Sequence, residues 1–303
     1  RYLEETSAGQ AQLTLPYAHT LGVISASNGP IEIPLDLWSA EQRQVGQLCL
    51  LFEGVRQGNG SIRLALRSAE GEITVAAPVH LSLRPVKSFY ERVAVTWPED
   101  IKAPWTYREQ PPEPALEWLP EEMGVPFIRP WYETTDTIVW VHGWIPQDDD
   151  NYRRTMVFSF ETMWKRLWHQ GFRGRVVHFR WPTVKRHEAL GLHISEYRAF
   201  KSAPQLVSFV DSLPPENRIH VTTHSLGGVL LMEALKLGLD VNAALFQVSA
   251  VAAEAFDQSE ALVIPNMANI LPRDTEHMTH AGYLSEINTP IYNAYNPADF
   301  TWF

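Results

Sequence analysis

The chain has 303 residues, of which 45% are hydrophobic and 20% charged, enough for one large domain or two medium ones. Its formal net charge of −10 argues against nucleic acid or an anionic membrane as a partner. No apolar run approaches the ~20 residues of a membrane helix, so no transmembrane segment is predicted.

Cys49 is the single cysteine, which excludes a disulfide within the chain. Its alternating strand context favours a buried small hydrophobe over a reactive thiol. The chain begins at Arg1, without a start methionine, signal peptide or lipidation motif. We therefore expect it to be an excised or processed piece of a longer protein.

Residues 1–95 contain short runs of alternating polarity separated by glycine and asparagine, a pattern typical of antiparallel strands. We predict a small all-β, sandwich-like module there. It contains no cluster of catalytic residue types, so its expected role is packing or presentation. The predicted strands are 31–38, 45–52, 61–66, 73–76, 79–83 and 89–95.

Residues 96–132 are rich in proline and tryptophan, with eight prolines between Pro98 and Pro130. Proline at this density is incompatible with a helix or an inner strand. We predict an extended linker, held against the second domain by its tryptophans.

Residues 133–303 alternate between strand and helix patterns, which predicts a mostly parallel sheet with helices on both faces. Reactive groups are expected at the carboxyl ends of its strands. Asp150 and Ser195 are expected to cap helices. The predicted strands are 137–141, 175–179, 219–223, 243–251 and 291–295, and the predicted helices are 150–170, one from 195 with Pro204 starting or kinking its second half, and 226–237.

The acidic run Asp148–Asp150 lacks a histidine or glutamate at metal-ligand spacing. A solvated helix start, favourable to the helix dipole, is the better interpretation. We predict neither a metal nor a cofactor.

Thr222–Gly228 is the most informative stretch, because it follows an apolar strand run and precedes an apolar helical run. A strand, a sharp turn with a serine at its apex and a helix make up the nucleophile elbow of serine hydrolases. Ser225 is the apex, and Gly227 supplies one of the two small residues that the turn requires. Thr223 stands where the pattern G-x-S-x-G has its first glycine, so the match is imperfect. His224 lies within the elbow and is expected to point away from the nucleophile.

The oxyanion hole is predicted from two backbone N–H groups. One belongs to Leu226, directly after the nucleophile. The other belongs to Trp144, in the turn His142-Gly143-Trp144 that ends an early strand. Gly143 permits the tight turn, and His142 is interpreted as a structural turn residue rather than the base.

The acid that orients the base is predicted to be Asp299, which follows the second strand after the nucleophile strand. Glu254, after the preceding strand, is the alternative acid. The order of the fold requires a histidine after the acid, and none follows Asp299. His277 and His280 lie before the last strand, out of order.

Three explanations of the missing base stay open. A tail carrying the histidine was removed, or His277 or His280 substitutes by an unusual loop route, or the domain is inactive. We favour the first, because the closing strand of the fold is missing as well. The remaining histidines are interpreted as surface or core residues: His169, His178, His187, His193, His220 and His224.

With these features, residues 134–303 resemble the α/β-hydrolase superfamily of lipases and esterases. More narrowly, they are similar to hydrolase domains of large uncharacterised bacterial proteins presumed to be exported, which a β-rich module often precedes. The resemblance rests on an ordered set of motifs: Tyr90-Glu91-Arg92, Val141-His142-Gly143-Trp144, Lys165–Gly171, Phe179-Arg180-Trp181-Pro182, Ser195–Phe200 and His224-Ser225-Leu226-Gly227.

The resemblance implies Ser225 as nucleophile, Asp299 as acid and a histidine beyond residue 303. It also implies a carboxylic-ester hydrolase for small-molecule or lipid-like esters, secreted or at the bacterial cell surface, with a cytoplasmic location left open. Other domains of a larger parent protein are expected partners. The alternatives are a non-catalytic hydrolase-fold module of a cell-surface or extracellular assembly, and an acyltransferase that uses the same residues.

Overall fold

A computed structural model gives the architecture of the chain. The chain folds into two compact units, Arg1–Pro85 and Val86–Phe303, and each is described by itself. The structure describes residues 30–33, 44, 57–97, 114–122, 124–128, 134–145, 149–183, 191–251, 255–256 and 283–295.

The described part of the first unit contains two antiparallel pairs of strands. β1 (Gly58–Ile62) pairs with β4 (Val79–Leu83), and β2 (Ala65–Arg67) pairs with β3 (Ile73–Val75). The Ser68 hydroxyl accepts the N–H groups of Glu70 and Glu72 in the turn that joins β2 to β3. The predicted antiparallel pairing is confirmed for these strands, but the predicted strand 61–66 is divided between β1 and β2, which have different partners. The sandwich-like arrangement stays a prediction.

The second unit is built on a seven-stranded sheet in the order β13-β12-β11-β9-β10-β5-β6, in which only the edge strand β6 is antiparallel to its neighbour. This confirms the predicted mostly parallel sheet. The elements in chain order are β5 (Glu91–Thr96), β6 (Ala115–Trp118), β7 (Glu121–Glu122), β8 (Val125–Pro126), β9 (Asp136–Val141), α1 (Asp149–His169), β10 (Arg175–Arg180), α2 (Gly191–Asp211), β11 (Arg218–His224), α3 (Gly227–Lys236), β12 (Ala243–Gln247) and β13 (Ile291–Ala294), with 3₁₀ turns at Val86–Ser88 and Tyr283–Glu286.

The two faces of this sheet are covered by different helices. Because side chains alternate along a strand, Val139 and Trp140 of β9 point to opposite faces. Val139 belongs to the main core, together with buried residues of α2 and α3. Trp140 belongs to a second cluster with Phe160 of α1. Strands buried on both faces explain the continuous apolar runs in the sequence.

The predicted boundary between the two domains is corrected by the sheet. Glu91–Thr96 was predicted as part of the first module, but it pairs in parallel with β10 inside the second unit. Ala115–Trp118 was predicted as linker, but it pairs with β5 at the edge of the same sheet. Ala115–Trp118 can form a strand because these four residues include no proline. Glu91–Thr96 belongs to the sheet of the second unit because its Val93 and Val95 side chains are buried there. The second unit therefore begins at Val86.

The start of α2 also differs from the expectation. Ser195 was predicted to cap the helix, yet the helix begins at Gly191. The Ser195 hydroxyl is buried inside the helix and donates to the Gly191 carbonyl, 2.8 Å away. A serine hydroxyl can hydrogen-bond to nearby backbone groups both at the start of a helix and inside it. The presence of a serine in the sequence therefore does not distinguish a cap from an interior position. The helix also continues through Pro204.

No helix in the described part of the chain is both long enough and apolar enough to cross a bilayer.

Candidate active site

Ser225 occupies a sharp turn between β11 and α3. β11 ends at His224 and α3 begins at Gly227, so only Ser225 and Leu226 lie between them. Ser225 has φ +51°, a left-handed conformation that few non-glycine residues adopt. Leu226 returns to the right-handed region with φ −61°. The apex serine of the predicted elbow therefore has a strained, left-handed backbone conformation.

The backbone of Ser225 is held from two sides. Its N–H donates to the carbonyl of Gln247, the last residue of β12, at 3.0 Å. Its carbonyl accepts the N–H groups of Gly228 and Ala250, each also at 3.0 Å. Since both backbone polar groups of Ser225 are bonded, its conformation is fixed by the neighbouring strand and helix together.

Two glycines allow the turns after β9 and β11 to touch. An ideal Cβ on Gly227 would lie 2.5 Å from the carbonyl oxygen of His142 and 2.8 Å from that of Val141. An ideal Cβ on Gly143 would lie 2.8 Å from the Cβ of Ser225. At these distances a side chain at position 143 or 227 would collide with the neighbouring turn, so both positions require glycine. The predicted oxyanion turn is thus in direct contact with Ser225.

Thr223 is accommodated at the position where the motif expects glycine. It is fully buried in β11, in register with Val141 on one side and Phe246 on the other. Its hydroxyl donates to the carbonyl of Leu245 at 3.5 Å. A threonine that bonds within the sheet therefore replaces the small residue without displacing the turn.

The two predicted oxyanion donors lie on either side of this contact. Leu226 is buried at the start of α3, where the first N–H groups of a helix have no partner within the helix. Trp144 directly follows Gly143 and packs against the main core. Both backbones therefore belong to the two turns that meet at Ser225.

His142 is a fully buried structural residue of the turn after β9. Its Nδ1–H donates to the Gly143 carbonyl at 2.7 Å, and its Nε2 accepts the Trp181 N–H at 3.2 Å. These partners assign the neutral tautomer with the proton on Nδ1. The indole of Trp181 stacks on the ring and donates to the His142 carbonyl at 2.7 Å. With both ring nitrogens engaged, His142 stabilises the turn and is unsuited to act as the base.

We expect His142 to make the fold less stable in mild acid. Burial lowers its pKa from 6.5 to about 4. Between these values the unfolded chain binds a proton that the folded chain does not, so the free energy of unfolding falls as the pH drops from 6.5 towards 4. The contribution of His142 is up to about 3 kcal/mol. Burial lowers the pKa of His178 in the same direction.

Urea unfolding at pH 7 and pH 4.5 measures this loss. His142→Gln, which keeps one donor and one acceptor, should flatten the pH dependence. The matched variant His169→Gln changes an exposed histidine at the end of α1 and should leave the slope unchanged. An equal slope in His142→Gln and in the unaltered chain would show that His142 is not protonated on unfolding.

The predicted acid and bases lie outside the described residues: Asp299, Glu254, His277 and His280. The strand before Asp299 is described. β13 runs parallel to β12, and its last residue, Ala294, accepts the N–H of Val248 at 2.7 Å. Because β11, β12 and β13 are parallel neighbours, their carboxyl ends lie on the same side of the sheet. The chain therefore leaves β13 on the side that carries Ser225.

Three other described histidines lie at different distances from the carboxyl ends of the strands. His220 contacts Asp136, the first residue of β9, at 3.6 Å and so lies towards the amino ends of the strands. His178 is buried and stacks on Phe160, with ring centroids 4.3 Å apart. His224 is exposed next to Ser225, and its Nδ1 would lie 3.1 Å from a Cβ on Gly143.

The turn that follows β12 is a feature of the site that the sequence did not predict. Val248 is a non-glycine residue with φ +45°, and Ser249 packs against Gly228. The only signal in the sequence was the second glycine of Ser225-Leu226-Gly227-Gly228, which the elbow motif does not require. A side chain at Gly228 would overlap the Ser249 hydroxyl, which explains that glycine.

Among the described residues, no group of three or more histidine, cysteine, aspartate or glutamate side chains could hold a metal ion. α1 begins at Asp149, within the acidic run that was interpreted as a helix start. The side chains of that run lie outside the described ones.

The second unit thus has an α/β fold, with a serine in a strained turn at the carboxyl ends of the strands of a mostly parallel sheet. No protein-family model matches the chain, and no curated protein matches it closely enough to show a relationship.

Proposed function

We propose that the chain is a serine hydrolase of the α/β-hydrolase type that cleaves carboxylic esters, with the β-rich first unit as a sandwich-like module. The observation that carries the proposal is the conformation of Ser225, at φ +51° between β11 and α3 with the Gly143 turn against its Cβ. A strained apex serine of this kind is the hallmark of a nucleophile elbow. Small-molecule or lipid-like esters are the proposed substrates.

In the proposed reaction, the Ser225 hydroxyl attacks the ester carbonyl carbon while its proton passes to a histidine. The N–H groups of Leu226 and Trp144 stabilise the oxyanion that forms. The C–O bond of the ester then breaks, and the protonated histidine gives its proton to the departing alkoxide. Water, deprotonated by the same histidine, attacks the acyl carbon. The bond between that carbon and the Ser225 oxygen then breaks, the histidine returns the proton to the serine oxygen, and the carboxylic acid leaves. Asp299 orients that histidine, for which His277 and His280 are the candidates within these 303 residues.

Labelling with a fluorophosphonate tests the proposal. The serine oxygen displaces fluoride from phosphorus only when a base activates it, so a stable adduct reports an active nucleophile. We expect one adduct on the chain, mapped to Ser225 by mass spectrometry. Ser225→Ala should abolish both the adduct and the hydrolysis of a short-chain ester.

Ser208→Ala is the matched control, because Ser208 is exposed on α2 and far from the turn in sequence. It should label at the rate of the unaltered chain. An adduct at a serine other than Ser225 would contradict the proposal. If neither this chain nor one extended beyond Phe303 forms an adduct, the non-catalytic alternative becomes the better account.

A further inference from the structure

Val248 shares the rare backbone conformation of Ser225. Within the described ranges, they are the two non-glycine residues with positive φ, +51° at Ser225 and +45° at Val248. A β-branched residue is strongly disfavoured there, because its Cβ substituents crowd the backbone. Such a conformation persists only where surrounding contacts enforce it. The turn at Val248 therefore has a cost that other interactions offset.

The two strained residues occupy equivalent places on neighbouring strands. Ser225 follows the last residue of β11, and Val248 follows the last residue of β12. The last residues of these strands, His224 and Gln247, are register partners in the parallel pair. The left-handed turn at Val248 therefore lies directly beside the one at Ser225.

Hydrogen bonds join the β12 turn to Ser225 and to β13. Gln247 accepts the Ser225 N–H, and Ala250 donates to the Ser225 carbonyl, both at 3.0 Å. Between these two contacts, the Val248 N–H donates to Ala294 at 2.7 Å. The left-handed residue lets the chain reverse direction so that Gln247 and Ala250 both reach Ser225. We call residues 247–251 the β12 clamp.

Gly228 provides the space in which the clamp packs. An ideal Cβ there would overlap the Ser249 hydroxyl and lie 2.9 Å from the Ser249 Cβ. The Ser249 hydroxyl in turn accepts the Val251 N–H at 3.3 Å. The clamp is therefore packed against the first turn of α3, the helix whose N-terminus contains the proposed oxyanion donor of Leu226.

We propose that Val248 and Ser249 are positioning residues, which hold the backbone of Ser225 in its left-handed conformation and tie it to β13, the strand before Asp299. The inference rests on the proposed function insofar as Ser225 is a nucleophile. Neither residue touches the reacting atoms. Their role is to keep the Ser225 oxygen and the Leu226 N–H in fixed relation to each other.

Gly228→Ala tests the clamp, since the added methyl group must push Ser249 away from α3. Alanine is the better helix former, so the substitution does not weaken α3 by itself. We expect faster hydrogen exchange at the amides of Ser225 and Ala250. We also expect the maximal rate of phosphonylation to fall by at least roughly tenfold, since small misplacements of a nucleophile have effects of this size. The half-saturating concentration of the phosphonate should stay unchanged.

Ser249→Gly removes the hydroxyl and the Cβ, the two nearest of the three atoms that the new methyl group would meet, and leaves the longer contact of 3.2 Å with Cγ2 of Val251. Alone, it should raise exchange at Ala250 moderately. Combined with Gly228→Ala, it should bring the phosphonylation rate and the amide exchange back to the level of Ser249→Gly alone. A merely structural role would change the unfolding midpoint without this recovery of rate. Gly60→Ala, at a glycine with open space around it, is the control for an added methyl group.

The two readouts separate the clamp from the proposed function. Unchanged exchange at Ser225 and Ala250 in Gly228→Ala overturns the clamp, whatever the labelling result. Normal labelling of Gly228→Ala, or no recovery in the double variant, overturns its positioning role. Absence of label on the unaltered chain contradicts the proposed function alone, because the exchange measurement still decides whether the clamp holds Ser225. If Gly228→Ala does not fold, Ser249→Gly alone decides through exchange at Ala250.

Discussion

Replacing Gly227 by alanine is expected to lower the rate of phosphonylation of Ser225 by roughly 100-fold, the effect of moving a nucleophile by about 1 Å. The Cβ of the alanine would lie 2.5 Å from the His142 carbonyl oxygen and 2.8 Å from that of Val141. Both are backbone atoms of a buried strand end, so they cannot rotate away. The start of α3 must move instead, and with it the proposed oxyanion donor of Leu226.

The unfolding midpoint should fall as well, because the turn after β9 and the start of α3 can no longer pack together. Overpacking of this kind costs about 1–3 kcal/mol. Labelling rate and urea unfolding are measured on the same variant. Gly60→Ala, where nothing lies within 4 Å of the added carbon, should change neither. Full-rate labelling of Gly227→Ala would show that the contact between the two turns does not position Ser225.

The features of the fold that the sequence predicts are the local ones. A strand, a serine turn and a helix are contiguous at Thr222–Gly228, so the sharp turn at Ser225 could be predicted without knowing what packs around it. The parallel sheet follows from alternating strand and helix patterns. The position of β5 could not be predicted, because an alternating run such as Glu91–Thr96 fits an antiparallel module as well as a parallel sheet. Its pairing with β10 depends on residues distant in the sequence.

The site shows the same division between local and long-range information. The glycines at 143 and 227 are predicted by the motifs that contain them, and the structure supplies the backbone atoms that require them. Val248 could not be predicted, because no sequence rule places valine in a left-handed turn. Its conformation results from bonds to β13 and to Ser225, which only the assembled sheet provides.

Buried arginines are a second feature that the sequence did not predict. Arg92 and Arg180 lie on adjacent strands and are almost fully buried, although arginine is usually exposed. Glu122, just before the turn between β7 and β8, forms an ion pair with Arg180, and both side chains are shielded from water. Arg180 also donates to Nδ1 of His178 at 3.3 Å. Burial lowers the pKa of Arg92.

We expect Glu122→Ala to reduce the free energy of unfolding by about 3–5 kcal/mol, the cost of leaving a buried charge without its partner. With a urea dependence of about 2 kcal/mol per molar, the midpoint should fall by about 2 M. Tryptophan fluorescence follows the second unit, since every tryptophan except Trp38 lies after Pro85.

Asp136→Asn is the matched control, because Asp136 pairs with Arg218 at 2.8 Å, but the Arg218 side chain is 66% exposed. A solvent-exposed pair contributes about 0–1 kcal/mol, so this variant should unfold close to the unaltered chain. Equal losses in the two variants would mean that water reaches the Arg180–Glu122 pair. A loss confined to Glu122→Ala would show that the buried Arg180–Glu122 pair contributes more to stability than the exposed Arg218–Asp136 pair, because only the buried variant leaves a charge that water cannot reach.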